Sequence, residues 1–242
     1  LSKVNIREKE FHNKLHSSGN PRPENKYYKA LHNLYDDFLT FLKDKTPDKE
    51  VLDFGCGNGV YTEKVLSFNP SKITAIDISE KAIEIAKSKN HKIVDYMVEN
   101  CENTKLNSNS FDIIYGVGIL HHLRLNEAVK EVERLLKKNG SIIFIEPLGT
   151  NPAINLYRRL TPSSRSADEH PLTFNDIKYF RSLFGKVKIN YYGFFTLLFL
   201  PMYKSPKDSK IFSILSKIDQ ILFKIPFFKF LAWSILIEAK KN

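Results

Sequence analysis

The stretch Val51-Leu-Asp-Phe-Gly-Cys-Gly-Asn-Gly59 decides the fold of this chain. Its apolar run ends in an acid and predicts a short buried strand, and its three alternating glycines predict a tight turn. The helical spacing from Tyr61 to Leu66 predicts that a helix follows directly. The N-terminus of such a helix has unpaired backbone N–H groups, so we expect it to face an anionic group of a ligand.

The spacing of these glycines separates two kinds of nucleotide site. A dinucleotide fingerprint has its third glycine three residues after the second, which corresponds here to position 60. That position is Val60, and the third glycine is Gly59. A nicotinamide-dependent oxidoreductase is therefore disfavoured. A turn without any ligand is the simplest alternative, because a tight strand-to-helix connection needs glycine in either case.

Strands and helices alternate after this turn. A second strand over 72–76 is closed by Asp77, at the spacing where a doubly wound fold places a ribose-binding acid. Ser79 is the predicted N-cap of the next helix. The alternation predicts a parallel sheet with helices on both faces and a ligand at the carboxyl ends of the strands. Further predicted elements are strands over 93–98, 111–115 and 141–145, a helix over 126–138 and a last strand over 231–239.

Four landmarks in this order resemble the class I S-adenosylmethionine-dependent methyltransferases. They are the compressed glycine turn, Asn100-Cys-Glu102 where the family usually has Asp-Ala-Glu, Phe111-Asp112, and Leu120-His-His-Leu123. The resemblance covers roughly residues 48–146. It implies an α/β fold with a Rossmann-like doubly wound, mostly parallel sheet, an antiparallel last strand and helices on both faces. It also implies methyl transfer from S-adenosyl-L-methionine to an O or N atom of a small metabolite, a sugar or a lipid-linked intermediate.

The resemblance also implies which residues hold the cofactor. Asp53 is expected to hold the cationic methionyl end, and Asp77 the ribose. Asn100 stands where many members have Asp, and its carbonyl oxygen can still accept a hydrogen bond from the adenine amino group. The other expected cofactor residues are Gly55, Cys56, Gly57, Gly59, Ile78, Cys101 and Gly116.

Two histidines are the candidate catalytic residues. His121 follows the fourth strand at its carboxyl end, and His170 lies in the long connection after the fifth strand. Imidazole suits proton removal near neutral pH, although a histidine pair after a strand is also a common packing feature. The candidate substrate residues are Tyr28, His122, Glu146, Arg158, Arg159 and Arg165. The arginines suit a phosphate or carboxylate, and solvated ion pairs are an equal alternative for them.

The sequence predicts no metal centre. The adjacent His121 and His122 are expected to point apart, and the acid pair of magnesium-dependent relatives is missing at that point. The two cysteines, Cys56 and Cys101, fall in separate predicted loops, so we expect no disulfide and a reducing, cytoplasmic setting.

The expected organisation is a helical cap over 1–47 and a methyltransferase domain over 48–242. The cap is predicted to hold helices over 7–16 and 27–42, with Tyr27 or Tyr28 reaching the cofactor. Within the domain we expect a substrate loop at about 147–172 and an apolar, basic insertion at about 193–229.

Charge is concentrated in the last quarter of the chain. The chain has a net charge of +10, and residues 178–242 have twelve Lys or Arg against three acids. In the insertion, a helical stripe consists of Ile211, Ile214, Leu215, Ile218, Ile221, Leu222 and Ile225. Either this stripe packs on the sheet as a lid, or it lies on an anionic membrane as a peripheral contact at the inner face. An RNA or DNA partner is disfavoured, because the aromatic residues fall in unbroken apolar runs.

One alternative to an active methyltransferase stays open. A non-catalytic binding protein could keep the cofactor fold as a scaffold, and the intact Asp53 and Asp77 argue against it. The sequence does not decide the methyl acceptor or the oligomeric state.

Overall fold

A computed structural model describes residues 1–17, 29–161, 166–203, 205–206 and 208–242. The predicted substrate residues Tyr28 and Arg165 lie outside the described residues, as does Tyr27. The described chain forms a seven-stranded sheet in the order β3-β2-β1-β4-β5-β7-β6. The strands are β1 Glu50–Phe54, β2 Lys72–Asp77, β3 Val94–Val98, β4 Phe111–Val117, β5 Leu136–Pro147, β6 Lys186–Tyr192 and β7 Ser234–Lys240.

The sheet has a parallel centre and one antiparallel strand. Strands β3, β2, β1, β4 and β5 pair in parallel, and β7 runs antiparallel to both β5 and β6. The predicted Rossmann-like doubly wound sheet with its antiparallel last strand is confirmed. The helices are α1 Lys3–Ser17, α2 His32–Lys45, α3 Val60–Leu66, α4 Glu80–Lys87, α5 Leu125–Leu135, α6 Pro152–Leu160, α7 Phe174–Leu183, α8 Phe195–Leu198 and α9 Lys210–Leu222.

Alternation along the central strands builds two cores, one on each face of the sheet. On β1, Val51 belongs to the core under α2, α3 and α4, whereas Leu52 and Phe54 belong to the core under α5 and α7. All three side chains are fully buried, as expected for a parallel sheet that is covered on both faces. The ligand-binding edge is therefore left to the carboxyl ends of the strands.

Local capping explains where two helices begin. The Ser79 hydroxyl accepts from the Ala82 amide at 3.1 Å, as predicted for the N-cap of α4. The predicted substrate loop contains α6, which the sequence analysis did not foresee. Asn151 caps this helix by accepting from the Ala153 and Ile154 amides, and Pro152 occupies its first turn. Asparagine followed by proline is a helix-start signal that was present in the sequence.

Several predicted boundaries differ from those of the structure. Helix α5 ends at Leu135 rather than 138, because Leu136 is fully buried and already pairs with Phe111 in the sheet. The last strand begins at Ser234 rather than 231, since the 3₁₀ segment Pro226–Leu231 precedes it. Helix α2 spans His32–Lys45, and its predicted start at Tyr27 lies outside the described residues.

Helix α9 turns an unexpected face to the protein. Phe212, Ser216 and Asp219 are buried, whereas the isoleucines of the predicted stripe are 40–63% exposed. The lid interpretation is therefore wrong for the five isoleucines, whereas Leu215 and Leu222 of the stripe are half-buried and pack against core clusters. Among the residues that the structure describes, no helix has both the length and the apolar character needed to cross a bilayer.

Candidate active site

One cavity of about 950 Å³ lies at the carboxyl ends of the parallel strands. Its floor consists of residues that end β1, β2 and β4, and its walls include residues of α1, α2 and α3. A volume of this order is ordinary for a nucleoside-sized ligand and a small second molecule. The cavity is therefore the place where the predicted cofactor and acceptor residues have to be sought.

The glycine turn is held against the next strand by Asp77. One oxygen of its carboxylate accepts from the Gly57 amide at 2.8 Å, and the other accepts from the Ser79 amide at 2.9 Å. Gly59 has a φ of 79°, and a Cβ there would lie 3.0 Å from the Tyr96 hydroxyl. The turn thus needs glycine for its left-handed backbone and for the close approach of β3.

Asp53 is a buried acid at the centre of the cavity floor. The residue is 2% exposed. Its Oδ2 accepts from Thr62 Oγ1 at 2.6 Å and from the Tyr115 hydroxyl at 2.7 Å. Burial raises the pKa of Asp53 to about 7, against the effect of these two hydrogen bonds. A cationic ligand beside this buried carboxyl group would favour its ionised form, so the position suits a cation.

Most of the predicted cofactor residues line this cavity. The Asn100 carbonyl oxygen accepts from the Glu102 amide at 3.0 Å, so the side chain is oriented before any ligand arrives. Burial raises the pKa of the Cys56 and Cys101 thiols, which are both free. The predicted cofactor residues on the cavity surface are Asp53, Gly55, Cys56, Gly57, Asp77, Ile78, Asn100 and Cys101.

Gly59 and Gly116, both predicted to bind the cofactor, lie outside the cavity surface. A Cβ at Gly116 would lie 2.7 Å from Phe144 Cε1 and 2.8 Å from the Phe54 carbonyl oxygen. This glycine is thus required by the close packing of β4 against its neighbours. Its place in the sequence, immediately before the loop that lines the cavity, made it look like a ligand contact.

Glu146 orients the short 3₁₀ turn Leu120–His122 that follows β4. The carboxylate is fully buried, accepts from the Ile119 and Leu120 amides, and lies 2.7 Å from His121 Nδ1. Neither Glu146 nor His121 is among the residues that line the cavity. The predicted substrate residue Glu146 is thus a positioning residue in this geometry, and the predicted base His121 lies behind the cavity wall.

His122 does line the cavity, together with Glu8 and His12 of α1. His122 Nδ1 lies 3.1 Å from Glu8 Oε2 and 3.3 Å from Ser166 Oγ, and the Glu8 side chain is 6% exposed. The rings of His121 and His122 lie side by side with centroids 4.1 Å apart, so the expectation that they point apart is wrong. His121 lies beside the buried carboxylate of Glu146, and His122 lies beside the buried carboxylate of Glu8.

The electrostatics of this pair favour a neutral imidazole beside an anionic carboxylate. Burial lowers the pKa of His122, and Glu8 only partly opposes this effect. Burial alone would raise the pKa of Glu8, but His12, His122 and Ser166 lower it well below its ordinary value. At neutral pH, His122 can therefore accept a proton from a group in the cavity, and Glu8 can stabilise the imidazolium that results.

Helix α1 is held over the cavity by polar contacts. Asn13 accepts from the Ser79 hydroxyl at 2.7 Å, and Lys9 forms an ion pair with Glu80. Arg7 pairs with Asp168 at 2.7–2.8 Å. These contacts connect α1 both to the start of α4 and to the segment around residue 168, so α1 encloses the cavity from above.

Sequence reasoning missed the contribution of α1 to this site. Asn5, Glu8, His12 and His16 all line the cavity and recur every three or four residues. That polar stripe on one helix face was visible in the sequence, because side chains at this spacing share a face. The sequence alone does not show that this face of α1 points into the cavity.

The fold also forms two groups of side chains that could act as metal ligands. Within each group the ligand atoms lie within 4.8 Å of one another. His122 belongs to both groups, and the sequence spacing did not indicate either of them. The groups are Glu8, His12 and His122, and His121, His122 and Glu169.

The catalytic candidate His170 and the substrate candidates Arg158 and Arg159 lie away from the cavity surface. His170 is exposed, and its amide donates to the His121 carbonyl at 2.8 Å. Arg158 Nη1 donates to the Leu148 carbonyl at 3.1 Å, and Arg159 is exposed on α6. None of the three lines the cavity.

Comparison with known proteins agrees with this geometry. Residues 52–144 match the family model described as a methyltransferase domain. A ubiquinone biosynthesis O-methyltransferase of Pelagibacter ubique is 34% identical over 138 residues, which is 50% of this chain and 56% of that protein. A geranyl diphosphate C-methyltransferase of Streptomyces coelicolor, solved with Mg²⁺, geranyl diphosphate and S-adenosyl-L-homocysteine, has a TM-score of 0.66 at 14% identity. Its alignment covers 100% of this chain and 98% of the other.

The glycine turn, the sheet order and these matches are those of the fold of class I S-adenosylmethionine-dependent methyltransferases. Residues 52–144 are thus similar to a methyltransferase domain, and the structural match at 14% identity shows a shared fold. The chain spans about half the length of the curated relatives that it matches. The cofactor fits the residues present, because a buried acid with a raised pKa, Asp53, faces a cavity bordered by a glycine turn.

Proposed function

We propose that the protein transfers a methyl group from S-adenosyl-L-methionine to an O or N atom of a small or lipid-linked molecule, with His122 as the general base. The observation that carries this proposal is the pair of His122 and Glu8 on the wall of the cavity that also contains Asp53. The Pelagibacter ubique relative, named as an O-methyltransferase of ubiquinone biosynthesis, supports a small-molecule acceptor.

The roles of the residues follow from their surroundings. Bound S-adenosyl-L-methionine supplies an activated methyl group, so the protein has to align the acceptor, remove its proton and exclude water. Asp53 would hold the methionyl ammonium, Asp77 would brace the glycine turn beside the ribose, and Asn100 would face the adenine. His122 would take the proton of the acceptor, while Glu8 holds the ring and stabilises its charged form.

The rim of the cavity indicates where the acceptor enters. His32 and Tyr35 of α2, Tyr61 of α3, and Ser205 and Pro206 are among the residues that line the cavity. Aromatic and imidazole rings with few charges suit a flat, partly apolar acceptor more than a highly charged one. A phenol or catechol, free or on a lipid tail, fits this rim and has a proton for His122 to remove.

Turnover of a catechol, a prenylated catechol and a primary amine tests this proposal, with S-adenosylhomocysteine formation as the readout. His122→Ala should lower turnover by roughly 10²–10⁴-fold without changing affinity for S-adenosylhomocysteine, and Glu8→Gln should lower it less. His121→Ala and His170→Ala test the two histidines that the sequence singled out. His91→Ala, on the surface near Glu63, is the matched control.

The pH profile separates a base from a packing residue. Since burial lowers the pKa of His122, turnover should rise with pH below neutrality and then level off, and Glu8→Gln should shift this rise. Full activity of His122→Ala would show that the base is another group or that none is needed. Binding of S-adenosylhomocysteine without turnover of any of the three acceptors would favour the non-catalytic alternative.

A further inference from the structure

Helix α9 exposes a continuous row of isoleucines. Ile211, Ile214, Ile218, Ile221 and Ile225 follow one another at intervals of three and four residues, and each is 40–63% exposed. This spacing places Ile211, Ile214, Ile218 and Ile221 on one side of the helix, and Ile225 follows three residues after its last residue, Leu222. Phe227, just after the helix, is 73% exposed. Such a row is unusual on a surface that faces only water, because single exposed apolar residues are normal but ordered groups of them are not.

The opposite side of α9 is fixed to the protein, so this row is not the result of a loosely placed helix. Asp219 is 3% exposed and accepts from the amides of Phe194, Phe195 and Thr196 and from the Thr196 hydroxyl. Ser216 accepts from Asn33 Nδ2 at 2.8 Å. These buried polar contacts determine the rotation of α9 about its axis, and with it the outward direction of the isoleucines.

Lysines border the same row. Lys210 and Lys217 lie seven residues apart on α9, about two helical turns, and therefore form a second line beside the isoleucines. Lys224 follows two residues after the end of the helix. All three are exposed, and none forms an ion pair within the described part of the chain. The face thus combines apolar side chains with uncompensated positive charge. A second copy of this chain would meet the same lysines with its own, whereas an anionic lipid surface complements them.

We propose that the isoleucine face of α9, with its line of lysines, docks the protein onto an anionic lipid bilayer. The helix would lie in the plane of the interface, with Ile214 and Ile221 deepest because they are the most exposed, at 59% and 63%. The lysines would meet the lipid phosphates at the level of the headgroups. Docking of this kind needs no membrane-spanning helix.

The docked helix lies next to the rim of the cavity. Phe212 on its buried side packs with a ring-centroid distance of 6.3 Å to His32, which lines the cavity. Ser205 and Pro206, just before α9, line the cavity as well. Resting on the proposed function, this arrangement assigns a lipid-anchored molecule as the acceptor, because its reactive head could reach the cavity while its tail stays in the bilayer.

Cosedimentation with phosphatidylglycerol vesicles and with phosphatidylcholine vesicles, over a salt series, tests the docking. The protein should bind the anionic vesicles, and binding should weaken as salt rises. Ile214→Ser combined with Ile221→Ser should weaken binding at least tenfold. Replacing Lys210, Lys217 and Lys224 by Gln should weaken it on the order of 100-fold at low salt, because each lysine near an anionic surface contributes roughly fivefold.

Matched variants elsewhere on the surface serve as controls. Ile93→Ser changes an isoleucine that is 41% exposed beside the far edge strand β3. Replacing Lys45, Lys87 and Lys92 by Gln removes the same charge from the rest of the surface. Both controls should bind vesicles almost as the unchanged protein does, and all variants should keep the same melting temperature because the altered side chains are exposed.

Three results would overturn the proposal. The first is a lack of binding to anionic vesicles at low salt, and the second is equal loss of binding in the controls and in the α9 variants. The third is a dimer in sedimentation velocity that the Ile214→Ser, Ile221→Ser variant dissociates, which would assign the face to a second copy. Vesicle binding without methyl transfer would leave the docking intact and contradict only the proposed reaction.

Discussion

Replacement of Asp53 by Asn should make the protein without its cofactor more stable at alkaline pH while weakening cofactor binding. Burial raises the pKa of Asp53 from its ordinary 3.8 to about 7. A rise of that size corresponds to about 4 kcal/mol in favour of the protonated form. The amide of Asn is uncharged at every pH and can still accept the hydrogen bonds of Thr62 and Tyr115 through its carbonyl oxygen.

The sign of the effect follows from proton binding. Between about pH 4 and pH 7 the folded protein keeps the Asp53 proton, whereas the unfolded chain loses it, so rising pH lowers the free energy of unfolding across this window. The Asn variant lacks this loss. The free energy of unfolding of the Asn variant, relative to that of the unchanged protein, should therefore increase by roughly 2–3 kcal/mol between pH 5 and pH 8.

Urea unfolding at pH 5, 6, 7 and 8 measures this difference directly. Asp95→Asn is the control, because Asp95 is exposed and pairs with Lys72 on the surface. A difference in unfolding free energy that stays constant from pH 5 to pH 8 would refute the reasoning, since Asp53 would then ionise normally. In calorimetry with S-adenosylhomocysteine at pH 8, Asp53→Asn should bind about 10- to 100-fold more weakly, the size of a hydrogen bond to a charged group. Equal affinity would remove Asp53 from the methionyl end.

Asp77→Ala should cost about 1–3 kcal/mol of stability and also weaken S-adenosylhomocysteine binding, because it removes the acceptors of the Gly57 and Ser79 amides. Urea unfolding and calorimetry check both effects. A variant unchanged in both would show that the hydrogen bonds to Asp77 contribute neither to stability nor to cofactor binding. Gly116→Ala should cost about 1–3 kcal/mol in urea unfolding, because its Cβ would lie 2.8 Å from the Phe54 carbonyl oxygen. Unchanged stability of that variant would contradict the close packing described at β4.

Residues whose surroundings are local in sequence could be predicted well. Ser79 caps α4 through an amide three residues away, so the sequence alone contains both partners. Asp53 and Asp77 could be placed together because parallel strands end at the same edge of a sheet. The position of the cavity at the carboxyl ends of the strands follows from these rules.

Residues whose direction depends on distant partners could not be predicted. Which of His121 and His122 faces the cavity is set by Glu146 and by Glu8, which lie far away along the chain. Likewise, α9 has apolar side chains on two faces, and the buried Asp219 decides between them by accepting hydrogen bonds at the start of α8. Spacing alone predicts that the isoleucine face of α9 is buried, whereas the protein buries the opposite face.

The position of Glu8 on α1 links the timing of proton transfer to the closing of the cavity. Helix α1 supplies Glu8, and it is held over the cavity by side-chain contacts of Arg7, Lys9 and Asn13. If α1 lifts to let the spent cofactor leave, Glu8 moves with it and His122 loses its partner. In the proposed mechanism, such a movement would separate Glu8 from His122 as the products leave, and the pair would be complete only while α1 covers the cavity.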